Sequence, residues 1–211
     1  IEERNETHVQ VNRELLPEFC ALLREAEWDV ALLQECPPRF AAPLARACGA
    51  EWHRALTSRN SFGSLRALLA RRNPDLMASA EGGSNLTLVR VPGRLGGIAE
   101  RREATIHEGA PERRAMAFTR TASGVCIVNL HATAHEPEAA AADVLRAAQL
   151  ARRWAGDAPL VFGGDFNLRP GRAPAPFARL REGFGLPESE PEVDDAVRAA
   201  AEDRADLVPR R

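Results

Sequence analysis

Apolar residues Leu15, Leu16, Phe19, Leu22, Leu23 and Ala26 recur at helical spacing over residues 14–26. Pro17 is tolerated only in a first turn, so the helix is predicted to begin just before it. Residues 28–34 (WDVALLQ) form a short, nearly continuous apolar run, the pattern of a strand covered on both faces, and Pro37 and Pro38 end it. An Ala- and Arg-rich second helix is expected over 39–48. Residues 54–73 fit no single period. Residues 86–91, 116–120 and 125–130 read as strands, with Ser123-Gly124 as a turn joining the last two. The clearest helix spans 136–155, with Pro137 in its first turn and Gly156 just past its end. Residues 160–162 (LVF) are the next buried strand. Beyond Pro170 the chain reads as Pro-rich loop and an acidic, Ala-rich tail. No repeat or linker interrupts it, so one domain over 1–211 is expected.

Composition acts mainly by exclusion. The 211 residues are 45% hydrophobic and 27% charged, enough for a sizeable core and unlike a disordered chain. No run approaches the ~20 apolar residues that cross a bilayer. The first ten residues are polar and acidic, without the pattern of a secretory signal. The net charge of -2 argues against a general polyanion binder. Its distribution is uneven: seven Arg face one acid, Glu51, over 36–74, whereas nine acids face three Arg over 181–206. These patches read either as solvated faces that offset each other or, for the first, as the flank of a site for a phosphate-bearing ligand. Cys20, Cys36, Cys48 and Cys126 lack C-x-x-C spacing, so reduced thiols and a cytoplasmic setting are expected.

Three segments place polar residues at the C-terminal ends of apolar strands: Gln34-Glu35, Asn129-Leu130-His131 and Gly164-Asp165-Phe166-Asn167. Strand ends are where a rigid scaffold hands over to loops that carry function. The chemistry these groups suit is metal-assisted hydrolysis of a phosphoester. A carboxylate can hold Mg²⁺ by one or two oxygens, a second can orient water, and an amide and an imidazole can donate to phosphoryl oxygens. Each segment alone has a plainer reading. Glu35 could open a helix, Asp165 could form a turn beside Gly164, and His131 could be a satisfied strand-end imidazole. His135 suits a cap or surface role before the 136–155 helix, and His8, His53 and His107 read as surface residues.

Taken in order, DVALLQE, GGSNLTLVR, IVNLHATAH and GGDFNLRP resemble the motifs of the endonuclease/exonuclease/phosphatase superfamily, the DNase I-like fold, over residues 14–170. The resemblance implies an α/β four-layer sandwich of two mixed β-sheets flanked by helices. It implies Glu35 as a ligand of Mg²⁺ or Mn²⁺, His131, Asp165 and Asn167 as catalytic residues, and Asn85 and Asn129 as substrate-binding residues. The implied activity is that of a divalent-metal-dependent phosphoesterase acting on a phosphate-ester substrate, nucleic acid among the candidates. Such proteins usually open on a strand ending in Asn and close on an Asp-His pair. Neither is found here, no His follows His135 and no Tyr occurs, so a chain lacking the family's first and last strands is expected. The alternative is a non-catalytic binding or scaffold domain that kept the sandwich.

Overall fold

In a computed structural model of the protein, residues 2–4, 9–11, 14–57, 83–108 and 113–188 are described. The elements run β1 (Glu2–Arg4), β2 (Val9–Val11), α1 (Leu16–Glu25), β3 (Val30–Cys36), α2 (Ala41–Cys48), β4 (Ala50–Leu56), β5 (Ser84–Arg90), β6 (Ile98–His107), β7 (Arg114–Thr121), β8 (Cys126–His131), α3 (Pro137–Ala155), β9 (Leu160–Asp165) and α4 (Pro174–Phe184).

Two sheets dominate. One has the order β3-β5-β4 and is antiparallel throughout; the other has the order β6-β7-β8-β9, with β8 and β9 parallel. Parallel neighbours need a long crossover, and α3 supplies it. The sheets pack face to face, with β3 against β8 and β9, and β5 against β7 and β8. Leu23, Leu44, Leu86 and Leu88 join α1 and α2 to the outer face of the first sheet. Phe118, Val128, Leu130, Val144, Phe177 and Leu180 join α3 and α4 to the outer face of the second. The expected sandwich of two sheets between helices therefore forms, and four small side chains on α3 (Ala140, Ala147, Ala148, Ala151), all fully buried, let that helix sit close to its sheet. Burying a side chain the size of Leu or Phe stabilises by roughly 1.5–3 kcal/mol, so these two clusters carry most of the fold.

Several elements depart from the sequence reading. The Pro-rich stretch after Pro170 contains α4, which is compatible with its prolines because Pro174 takes a first-turn position, where no backbone N–H is needed. Strands β4 and β6 were not expected. Both are outer strands, and β6 is largely exposed through ERREATIH, with Arg101, Arg102 and Glu103 all open to solvent and Ile106 buried, so it has no apolar run. His53 is not a surface residue: it is only 5% exposed on β4. His107 is half-buried. His8, Arg59, Arg66, Arg71, Arg72 and residues 189–211 lie outside the described residues. None of the four cysteines is in a disulfide. Among the described residues, no helix is long and apolar enough to cross a membrane.

Candidate active site

The end of β3 is built around a bulge. Leu33 pairs with Leu86 and Cys36 with Ser84, so Gln34 and Glu35 together stand opposite the single residue Asn85. Bulges of this kind re-aim side chains and recur beside active sites. Leu33 and Cys36 both join the helix-facing cluster, leaving Gln34 to point toward the second sheet and Glu35 to reach solvent. With regular alternation, Glu35 would have followed Leu33 beneath the helices. Its backbone is left-handed, at φ 54°. Among the described non-glycine residues that conformation is shared by Asn167, at φ 52°, and His135, at φ 65°. The reading of Glu35 as a helix-opening acid is thereby excluded.

Asn129 lies at the centre of the sandwich and is fully buried. Its Oδ1 accepts from Gln34 Nε2 at 2.7 Å, and its Nδ2 donates to the Leu86 carbonyl at 2.9 Å and the Leu33 carbonyl at 3.3 Å. Its amide thus ties β8 to both β3 and β5 beneath the bulge. Asn85, also fully buried, makes a second tie by donating from Nδ2 to the Ala115 carbonyl at 2.7 Å. Its Oδ1 is buried with no hydrogen-bond partner among the described residues. A buried amide oxygen left open in this way suits a hard cation, a cation-bound water or another donor.

Two parallel strands bring the remaining residues together. His131 and Asp165 are direct neighbours in the β8–β9 ladder, with Nε2 to Oδ2 at 3.9 Å. Gly164 makes that register possible: its φ is 127°, and a Cβ there would lie 2.0 Å from the Leu130 carbonyl oxygen. Asp165 is more than half exposed, and its Oδ1 accepts the Asn167 backbone N–H at 2.9 Å. Asn167 donates in turn from Nδ2 to the Ala132 carbonyl at 2.9 Å, and Ala132 N–H donates to the Asp165 carbonyl at 2.9 Å. The segment after β8 and the segment after β9 are thus laced together.

His131 is 7% exposed. Burial, and next the Arg114 guanidinium, push its pKa below the usual imidazole value, while the Asp165 and Glu35 carboxylates pull the other way. The imidazole is therefore biased toward its neutral form, in which one ring nitrogen donates and the other accepts. Arg114 was missed in the sequence. It opens β7 and is 6% exposed; an Arg directly before the run AMAF was its only signal. Gln34, the tie to Asn129, was noted only as a neighbour of Glu35.

Glu35, Asn85, Arg114, His131, Asp165 and Asn167 thus gather where β3, β8 and β9 end and β5 and β7 begin. Among the described residues, no three His, Cys, Asp or Glu side chains converge to hold a metal ion. A magnesium site needs fewer protein ligands, because water and substrate complete its octahedron. The exposed Glu35 carboxylate and the open Asn85 oxygen opposite it are oxygen donors of the right kind.

No protein-family model and no curated protein matches the chain. Solved structures do. An endonuclease/exonuclease/phosphatase protein from Bacteroides vulgatus is similar at a TM-score of 0.55 and 15% identity, over 77% of this chain and 61% of that one. A mannosyl-6-phosphatase from Bacteroides thetaiotaomicron is similar at 0.53 and 14%, over 72% and 56%. D. rerio TDP2 complexed with single strand DNA product is similar at 0.53 and 16%, over 76% and 56%. The chain spans a little over half the length of these structures. At these identities the likeness shows the fold: two face-to-face sheets between helices, the DNase I-like α/β sandwich.

Proposed function

We propose that the chain hydrolyses a phosphate ester with the help of a divalent cation, Mg²⁺ or Mn²⁺. The observation that supports this most is the gathering of Glu35, His131, Asp165 and Asn167 at one end of the sandwich, two of them held in left-handed backbone. Strained backbone persists where the surroundings over-determine it, and it concentrates at functional sites.

Glu35, with Asn85 Oδ1 opposite, would hold the cation. When bound, the cation supplies Lewis-acid polarisation of a phosphoryl oxygen. Asp165 keeps one oxygen on the Asn167 N–H and presents the other to solvent near His131, the arrangement needed to orient a water and accept its proton. His131, biased toward neutral, donates one N–H to a phosphoryl oxygen as charge develops there. Arg114 adds fixed positive charge beside it. Asn167, exposed and anchored to Ala132, offers its remaining amide proton to the phosphate. Asn129 holds the sheets in register below.

The test is turnover of bis(p-nitrophenyl) phosphate, p-nitrophenyl phosphate and a single-stranded DNA oligonucleotide with Mg²⁺, and again with a chelator. Chelator-sensitive turnover is expected, and Asp165→Asn should lower kcat by roughly 10²–10⁴ with the fold intact. Turnover that is absent or unaffected by chelator, or an Asp165→Asn variant as active as the parent, overturns the reading. The DNA arm asks whether the nucleic-acid chemistry of the TDP2 likeness extends to this chain.

A further inference from the structure

Asp143 is a fully buried carboxylate on α3, set among the apolar Ala140, Val144 and Ala147. Burying a carboxylate in such a setting is unfavourable unless partners compensate it. Its partners all come from elsewhere in the fold. Oδ2 accepts both the backbone N–H of Thr133 at 3.0 Å and the Thr133 hydroxyl at 2.6 Å. Oδ1 lies 3.3 Å from Nδ1 of His107, at the end of β6, but makes no hydrogen bond among the described residues. A second link runs beside it, where Arg146 of α3 donates to the Ile106 carbonyl at 3.1 Å.

Thr133 is two residues beyond His131. The intervening Ala132 is fully buried and is held by Asn167 and by the Asp165 carbonyl. The short strap 131–133 is therefore held both by the segment carrying Asp165 and Asn167 and by Asp143. A packing role alone would be served by an Ala or Val in this helix face. A charged acceptor that takes two donors from one residue fixes the position and rotation of that residue's backbone.

We propose that Asp143, through Thr133, is a positioning residue for His131. It sets where the imidazole stands relative to Asp165. This rests on the proposed hydrolytic role of His131 only for its effect on rate; the geometric claim stands apart from it. A displacement of about 1 Å at a catalytic group is enough to cost orders of magnitude in rate.

The test compares Thr133→Val, which keeps shape but removes the hydroxyl, with Thr133→Ser, which restores it, and with Asp143→Asn. The imidazole ¹⁵N resonances of His131 are followed in each full-length variant, beside thermal melts and, in an active protein, kcat and KM. Moved His131 resonances are expected in Thr133→Val and Asp143→Asn, with parent-like resonances in Thr133→Ser. Thr133→Val should lower kcat by about tenfold or more with KM nearly unchanged. Unmoved His131 resonances in a folded Thr133→Val, or a parent-like kcat, overturn the proposal. A parent protein with no turnover would overturn the hydrolase reading, and the resonances would still decide the positioning.

Discussion

A glutamate at φ 54° adopts a conformation that disfavours L residues by roughly 1–2 kcal/mol, and the bulge that imposes it frees Glu35 from the helix-facing side. His53 shows the opposite economy, a titratable group held deep in the fold away from the site. Its Nδ1 lies 3.0 Å from the Thr119 hydroxyl, and burial, then the nearby Arg101, lower its pKa to about 4. The folded state therefore keeps His53 neutral where the unfolded chain, with an ordinary pKa near 6.5, already binds a proton. Its contribution is fully present above about pH 6.5 and is lost as pH falls from there toward 4. Between pH 7 and pH 5 the unfolding free energy should drop by about 2 kcal/mol from this residue alone. Denaturant titrations at both pH values on the parent and on His53→Gln measure it. A drop of equal size in the two proteins would show that another group is responsible.

Among the elements, β9 is the one on which the candidate site most depends. It pairs with β8 along one edge, carries Asp165 at its end, and runs through Gly163 and Gly164. The two glycines are not equivalent. A Cβ at 163 would meet the Leu32 Cδ1 methyl at 2.7 Å, a side-chain end that can move. At 164 it would meet the Leu130 backbone at 2.0 Å, from a φ that suits glycine. Gly164→Ala must push β9 away from β8, and an unfavourable effect of at least about 2 kcal/mol is expected, or a melting temperature lower by about 4 °C or more. Gly163→Ala should lower it much less. Equal shifts would mean that the close strand approach at Gly164 is not a constraint.

At the scale of the molecule, the candidate site exists because β3 of one sheet and β8 and β9 of the other terminate at one end. Glu35 comes from one sheet and His131 and Asp165 from the other, with Asn129 and Asn85 tying the layers beneath them. Both carboxylates face His131 closely enough to act on its titration, so a divalent cation bound there should favour the folded state. At a hundredfold excess over Kd the gain is about 2.7 kcal/mol, raising the melting temperature by roughly 5–10 °C. A millimolar Kd is expected from so few protein ligands. Glu35→Gln should remove most of the response, because a neutral amide is the poorer ligand for a hard cation. Melts at tenfold steps of Mg²⁺ on both proteins check this; identical responses would remove Glu35 from the cation site.

Local pattern by itself determined the buried strands and the amphipathic helices. VALL, LTLV, MAFT and VCIV must leave water, and helix 136–155 follows from its period and its Pro and Gly ends. Local pattern also placed Glu35, His131 and Asp165 at strand ends. It did not show β4 and β6, since outer strands with one open side tolerate charge and lose the apolar run, nor α4, hidden among prolines suited to its first turn. Only the tertiary structure decided that His53 is buried, that Arg114 stands beside His131, and that Asp143 holds Thr133. The first two depend on residues 66 and 17 positions apart in sequence, brought together by sheet register, which no short window of sequence contains. The third depends on how α3 packs back against the segment after β8.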